Sequence, residues 1–360
     1  MRILVIGGTS FFGKVIVELL LQAGHQVTIF TRGNKRPEFW DRVEHILGDR
    51  TDRNSFRQKV SRRTFDVVID NIAYNAEDVQ TALEVLHDNM GRYILTSSTV
   101  VYLSGTLSMP ISEDDVNHQI DKLPDIVAGY YTEQEISKLP EMHSGYTKAG
   151  PNGMAGYVLG KIHAERTLIE QDAVPYTIIR PATVAGPEDP SLRAYFYFQR
   201  LMDGGPLILR NGGIQSIQLA YSRDVAHGYL LALNSERAIN QVYHLAQQET
   251  VRLIDWLHLA AHFLEVKPKF VNIPAEVLRN NRFFYPEPLT LVTTFFVNTH
   301  KAEVDLGYKT TPQATWTKNT VHWYRDFYRG PNSMGYENRQ REIEFAQMYQ
   351  QATSALSNNK

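Results

Sequence analysis

The apolar run Ile3-Leu4-Val5-Ile6, followed at once by Gly7-Gly8-Thr9-Ser10-Phe11-Phe12-Gly13, constrains this chain more than any other feature. Four successive apolar residues read as a strand buried on both faces. Phe11–Ala23 then carries helical periodicity and is closed by Gly24. A glycine-rich turn between a first strand and a first helix lets the backbone approach a pyrophosphate. The helix N-terminus supplies N–H groups and a positive dipole. The spacing, Gly7 to Gly13 with Ser10 between, is not the commonest G-x-G-x-x-G, so its position after a strand and before a helix matters.

The next hundred residues repeat the alternation. Gln26–Thr31, Val43–Leu47, Asp66–Ile72 and Tyr93–Ser98 read as strands, with a helix over Ala76–Asn89. Strands interleaved with helices imply a parallel sheet with right-handed crossovers, a doubly wound Rossmann-type α/β fold. Ligands of such sheets sit at the carboxyl ends of the strands. The glycine turn, Thr31-Arg32, Asp49, Ala73 and Ser98 all fall there. Where a site prefers NAD, an acid at the end of the second strand binds the ribose 2′-hydroxyl. Here Thr31 is followed by Arg32, with Lys35 and Arg36 close behind. A guanidinium suits a phosphate, which favours NADP(H) over NAD(H). Asp49 is a candidate for the adenine amino group, and equally a turn or capping residue.

Further along, Tyr157-Val158-Leu159-Gly160-Lys161 lies on a helix expected over Ala155–Glu170, before a strand at Tyr176–Arg180. Tyr157 and Lys161 are four apart and share a face. An ammonium beside a phenol favours phenolate and lowers a pKa that is otherwise about 10. Ser98, at a strand end, can hold a substrate oxygen. A dinucleotide turn, a hydroxyl and a Tyr/Lys pair in this order point to hydride chemistry on an alcohol or ketone.

Residues 103–154 mix Pro, Gly, Ser and acids with several tyrosines, and periodicity is weak. So long an excursion reads as a lid or binding loop. The expected organisation is a nucleotide-binding domain over 1–185, carrying 103–154 as an insertion, and a smaller discontinuous substrate domain over 186–330. Ser222–Leu233 and Gln241–Ala246 are expected to return to the main sheet. Residues 331–360 read as a polar helical tail in which Phe345, Met348 and Tyr349 share a face.

The composition is 43% hydrophobic and 21% charged, with a formal net charge of −2, which gives no reason to expect nucleic acid or membrane as partners but leaves room for a local basic patch. The chain contains no cysteine, which excludes thiolate catalysis and Cys-ligated metals. No apolar stretch reaches the ~18 residues of a membrane span. Met1-Arg2 runs straight into the strand, from which an unprocessed, cytoplasmic protein is expected. His258 and His262 are four apart on one helix without a carboxylate partner, and no metal site is expected there.

Taken together, the segments Gly7–Gly13, Gly48-Asp49, Thr96–Tyr102, Tyr157–Lys161, Arg180-Pro181…Gly186-Pro187, Ser222–Ala226 and Leu306-Gly307-Tyr308…Trp323-Tyr324 resemble the extended short-chain dehydrogenase/reductases. This is the superfamily of sugar-nucleotide epimerases and dehydratases. The first turn with Phe30-Thr31-Arg32-Gly33 is similar to a branch that includes the chloroplast stem-loop-binding proteins. The resemblance implies that Tyr157 exchanges a proton with the substrate oxygen. It also implies that Lys161 lowers the tyrosine pKa and binds the nicotinamide ribose, and that Ser98 orients the substrate. Ser97 or Thr96 takes that part if the register slips. The expected cofactor contacts are Gly7, Thr9, Ser10, Phe11, Phe12, Gly13, Thr31, Arg32, Asp49, Arg50, Ala73, Tyr157, Lys161 and Pro181.

Departures bear on the substrate. The Asp-Glu pair of 4,6-dehydratases is replaced by Thr99-Val100. Ile217 stands where sugar-nucleotide enzymes carry an arginine for the diphosphate, leaving Arg210 or Arg193 to serve instead. Within the insertion, Tyr130, Tyr131, His143 and Tyr146, and before it Thr99, are candidates to line a substrate pocket, unless the insertion is a surface elaboration or an oligomer contact. The expected activity is NAD(P)-dependent redox of a ketone or alcohol on a small polar metabolite. One alternative is a sugar-nucleotide epimerase that recycles its NAD internally. The other is a non-catalytic RNA-binding or nucleotide-sensing protein. The family's four-helix contact makes a homodimer through helices 76–89 and 155–170 an expectation as well.

Overall fold

Strand β1 (Arg2–Ile6) is where the apolar run goes: Ile3, Leu4, Val5 and Ile6 are all fully buried. Their side chains alternate between two cores, as a period of two requires. Ile3 and Val5 belong to one cluster with Ile16, Val17 and Tyr229, and Leu4 and Ile6 to another with Phe30, Phe56 and Leu86. A strand walled on both faces needs no polar alternation, which is why it reads as a continuous run. The computed structural model describes residues 1–104, 109–122, 153–290 and 296–358. The candidates Tyr130, Tyr131, His143 and Tyr146 lie outside the described residues.

The chain continues through α1 (Phe11–Gln22), β2 (Gln26–Thr31), β3 (Glu44–Leu47), α2 (Arg53–Val60), β4 (Val67–Asp70), α3 (Ala76–Leu86) and β5 (Tyr93–Thr96). Next come α4 (Gly153–Ile169), β6 (Tyr176–Pro181), β7 (Thr183–Ala185), α5 (Arg193–Met202), β8 (Leu207–Arg210), β9 (Ser216–Ile217) and β10 (Leu219–Tyr221). Then follow α6 (Ser222–Leu233), β11 (Gln241–Leu245), β12 (Val251–Arg252), α7 (Leu253–Leu264) and β13 (Phe270–Ile273). The last elements are α8 (Ala275–Asn280), α9 (His300–Leu306), α10 (Gln313–Asp326) and α11 (Arg339–Asn358).

Seven strands form one sheet in the order β11-β6-β5-β4-β1-β2-β3, and every pairing in it is parallel. β1 lies between β2 and β4, so the chain reverses its direction of travel across the sheet at β1. The loops after β1 and β4 therefore diverge and open a crevice at their carboxyl ends. Gly7 and Asn71 stand at that point.

The chain forms two units. The first holds the parallel sheet and comprises Met1–Val184, Leu219–Gln248 and Phe296–Thr310. The return of α6 and β11 to it comes from the apolar faces of those elements: Tyr229, Tyr243 and Leu245 are fully buried in the β1 core. The second unit comprises Ala185–Gln218, Glu249–Phe295 and Thr311–Lys360. It contains a parallel β8–β13 pair, an antiparallel β9–β12 pair and a helical core around Trp256 and Trp316. Helix α11, in the expected C-terminal tail, is tied to other elements of the second unit. Arg200 on α5 forms a buried ion pair with Glu342 on α11 at 2.7 Å, and Arg339 pairs with Asp203 at 2.7 Å. Phe345 stacks on Phe283 at 4.3 Å, whereas Met348, expected on the same face, is 61% exposed. No helix among the described residues is long and apolar enough to cross a membrane.

Candidate active site

The loop after β1 is shaped by close backbone approach. Gly7 has φ +84°, and a Cβ there would meet Ile72 Cγ2 at 2.6 Å. A Cβ on Gly13 would stand 2.7 Å from the Gly7 carbonyl oxygen, so α1 starts almost against the strand it follows. No acid lies in the first turn of α1, and the N-cap Ser10 side chain makes no capping bond. The N–H groups at this helix start thus lack a side-chain cap, which fits an anionic group such as a pyrophosphate. Phe11 has φ +51° and is buried at the turn, its ring edge-on to Phe12 at 5.6 Å.

Asn71 ties this loop to the end of β5. Its Nδ2 donates to Gly7 O at 3.3 Å, and its Oδ1 accepts from Thr96 Oγ1 at 2.7 Å. Thr96 Oγ1 also meets Tyr229 OH at 2.6 Å. Sequence reasoning missed Asn71, although its place at the end of the fourth strand was a usable signal.

At the β2 end, Thr31 Oγ1 accepts from Gly33 N at 3.4 Å. Arg32 is exposed and makes no hydrogen bond or ion pair among the described residues. Asp49 is exposed and oriented by Thr51, which donates from its N at 2.9 Å and its Oγ1 at 2.7 Å. Those bonds, helped by the charge of Arg32, hold the Asp49 carboxyl below its ordinary value. Arg50 departs from the expectation of a cofactor contact. Its guanidinium is buried, paired with Asp70 and bonded to the carbonyl of Asp78. A buried carboxylate such as Asp70 needs a cation and hydrogen bonds, and Arg50 together with Tyr93 OH (2.6 Å) provides them.

Helix α4 carries the Tyr/Lys pair. Lys161 is 2% exposed, and its ammonium donates to Ala73 O and Thr96 O, each at 2.7 Å. Two of its three N–H groups are thus used by the carbonyls at the ends of β4 and β5. Burial pushes the Lys161 ammonium down to about 8, and the carboxylates of Asp70, Asp78 and Glu165 oppose the fall. Tyr157 is half-buried, and Lys161 Nζ lies 5.8 Å from its ring centre. Tyr74 lies beside both, its ring 6.2 Å from that of Tyr157 and 5.0 Å from Lys161 Nζ.

Three hydroxyls follow one another after β5. Thr96 is 4% and Ser97 3% exposed, whereas Ser98 is half-buried and its Oγ accepts a local bond from Val100 N at 3.3 Å. Of the three, Ser98 is the least buried. Thr99, expected to touch substrate, is 5% exposed and packed into the turn that follows. Ala73 presents its carbonyl to Lys161, and Pro181 is buried at the end of β6. In the second unit, Arg193 bonds Ser191 and lies 3.8 Å from Asp189, while Arg210 pairs with the buried Glu287 at 3.2 Å. His258 packs against the edge of Phe270. Of the helices expected to join two copies, α4 has His163 and Arg166 engaged by residues 118–121 of the same chain.

Comparison with known proteins agrees with this architecture. Residues 3–119 and 132–246 match the model of the NAD dependent epimerase/dehydratase family. The chain is 29% identical over 264 residues to the chloroplast stem-loop binding protein of 41 kDa b from Arabidopsis thaliana, covering 69% of this chain and 60% of that protein. It is 23% identical over 356 residues to human sterol-4-alpha-carboxylate 3-dehydrogenase, decarboxylating, covering 93% and 84% of the two chains. The chain thus spans less than two thirds of the length of the chloroplast relative. Among solved structures, UDP-glucuronic acid 4-epimerase from Bacillus cereus, in complex with NAD, superposes with a TM-score of 0.64 at 18% identity, covering 92% of this chain and 99% of that one. Epimerase Mth375 from Methanothermobacter thermautotrophicus gives 0.67 at 16% identity, covering 90% and 92%. A parallel sheet with its glycine turn, Ser98 and the Tyr157/Lys161 helix in this order, matched by the family model over most of the chain, makes this protein a member of the NAD-dependent epimerase/dehydratase family, within the extended short-chain dehydrogenase/reductases.

Proposed function

We propose that this chain is an NAD(P)-dependent oxidoreductase that interconverts a ketone and an alcohol on a small polar metabolite, with Tyr157 moving the proton. Three features of the first unit support the reading. They are the N-terminus of α1 without a side-chain cap, the half-buried Ser98 at the end of β5, and Tyr157 beside a buried ammonium on α4.

The residues divide the work. The Gly7–Gly13 backbone and the start of α1 hold the pyrophosphate. Asp49, ionised and pre-oriented, takes the adenine amino group. Arg32, with no partner of its own among the described residues, takes a 2′-phosphate, and on this ground the cofactor is NADP(H) in preference to NAD(H). The remaining N–H of Lys161 reaches a ribose hydroxyl. A bound nicotinamide supplies or accepts the hydride. Ser98 orients the substrate oxygen, and Tyr157 gives it a proton or takes one away. The Lys161 ammonium, 5.8 Å from the Tyr157 ring centre, offers a positive charge beside the group that exchanges the proton.

Net redox is favoured over epimerisation of a sugar nucleotide because a diphosphate needs cations. Arg193 and Arg210, the two expected to supply them, already have partners in their own unit. The RNA-binding reading draws on the chloroplast relative's name. Against it, two of the three arginines lining a cavity of about 550 Å³ at the opposite end of the sheet are paired, Arg2 with Asp66 and Arg63 with Glu44.

The test is to denature freshly purified protein and identify any released dinucleotide by mass spectrometry, then titrate emptied protein with NADPH and NADH. NADP(H) released, or NADPH taken up more tightly, supports the reading. Stoichiometric NAD⁺ that does not exchange favours the epimerase. Failure to bind either cofactor removes the enzyme reading.

A further inference from the structure

The part of the long insertion that the structure describes is a strap fastened at both of its ends. At residue 111 it pairs with a returning segment of its own unit. Ile111 N donates to Phe296 O and Asn298 N to Ile111 O, each at 2.8 Å, and Ile111 is fully buried. Two residues on, the Glu113 carbonyl accepts from Arg180 Nη1 at 2.5 Å, and its carboxylate accepts from His244 N at 3.2 Å. The far end lies along α4. His163 Nε2 bonds Ile120 O at 3.0 Å, and Arg166 reaches His118 O at 3.4 Å and Asp121 at 3.5 Å.

The central contact is His118 Nε2 to Glu165 Oε2 at 2.8 Å. Glu165 is fully buried, and Arg180 grips both its oxygens, Nε to Oε1 at 2.8 Å and Nη2 to Oε2 at 2.6 Å. An ionised carboxylate only accepts, so His118 is the donor. Glu165 is therefore held from the sheet by Arg180 on β6 and from the strap by His118. Tyr157, Lys161 and Glu165 follow at intervals of four on α4 and form one row along its face. Eight residues of helix span about 12 Å and move as a rigid rod. A tilt at Glu165 therefore displaces Tyr157.

We propose that His118 is a positioning residue: by its bond to Glu165 the strap fixes the pose of α4, and with it the placement of Tyr157 and Lys161. This rests on the proposed role of that pair. Residues 109–122 of the insertion are then part of the active-site support.

The test uses the full-length protein as wild type, His118→Ala and His118→Gln. Glutamine retains an N–H that can donate to Glu165. Hydrogen exchange resolved by mass spectrometry reads the amides of α4, and fluorescence titration reads NAD(P)H affinity. His118→Ala is expected to speed exchange across α4 and to weaken NAD(P)H binding, each by about tenfold, as expected for the loss of one hydrogen bond to a charged group. Exchange in β1 and β4 stays as in wild type, and His118→Gln restores both readouts. Unchanged α4 exchange in His118→Ala overturns the proposal. So does a glutamine variant as fast as the alanine one, because the effect would then not run through the bond to Glu165. Exchange is read on protein without added cofactor. If wild type binds neither dinucleotide, the functional reading fails while the clamp is still decided.

Discussion

Gly160 lies against Tyr74: a Cβ at Gly160 would stand 2.2 Å from the Tyr74 carbonyl oxygen. No side chain fits there, and the obstacle is backbone, which cannot swing away. The contact brings α4 onto the β4–α3 loop and lets Lys161, the next residue, reach Ala73 O. Gly160→Ala should therefore push α4 outward, lowering stability by about 1–3 kcal/mol and weakening NAD(P)H binding. Urea unfolding and cofactor titration check this. A variant as stable as wild type would show that α4 does not pack so closely.

Tyr157→Phe keeps the ring and removes only the hydroxyl. Turnover should fall by roughly 10²–10⁴-fold, the usual contribution of a positioned acid or base, with cofactor affinity unchanged. Lys161→Met should lose both, since its ammonium joins the β4 and β5 ends. Activity surviving in Tyr157→Phe would end the proton-transfer assignment.

Arg32→Ala tests the cofactor preference. An arginine facing a 2′-phosphate contributes about 1.5–3 kcal/mol through a hydrogen bond between charged groups, so NADPH affinity should drop at least tenfold while NADH affinity hardly moves. Equal losses for both would place Arg32 elsewhere.

The Glu165–Arg180 pair should be visible in acid. Burial alone would raise the Glu165 carboxyl, but the Arg180 charge and the bonds from Arg180 and His118 override it and take it from 4.5 to about 2. A carboxyl lowered on folding stabilises the protein fully above its unfolded pKa, and that contribution is lost as pH falls through the folded value. The shift corresponds to on the order of 3 kcal/mol. Wild-type stability should therefore decline between about pH 4.5 and 2 more steeply than that of Glu165→Gln, whose stability is already low at pH 7 because the buried Arg180 charge is left without a carboxylate. Urea midpoints across this range give the comparison, and parallel slopes would contradict it.

The sequence by itself determined the features whose signals are local. A doubly buried strand must be an unbroken apolar run, a tight strand-to-helix turn must contain glycine, and residues four apart on a helix must share a face. From these came β1 and its turn, the strand–helix alternation, and the order of Ser98, Tyr157 and Lys161. Helix α2 escaped, because it is mostly polar and buries only Phe56 and Val60. Tertiary structure alone decided what depends on partners far along the chain. Arg50 turns inward because Asp70, twenty residues on, is buried and needs a cation. Thr96 is taken by Asn71 and by Tyr229, 133 residues away, while Ser98 stays half-buried. His118 has a role only because Glu165, 47 residues later, arrives beside it. Periodicity and motif spacing report a residue's neighbours along the chain, whereas burial and charge pairing are fixed only when distant segments meet.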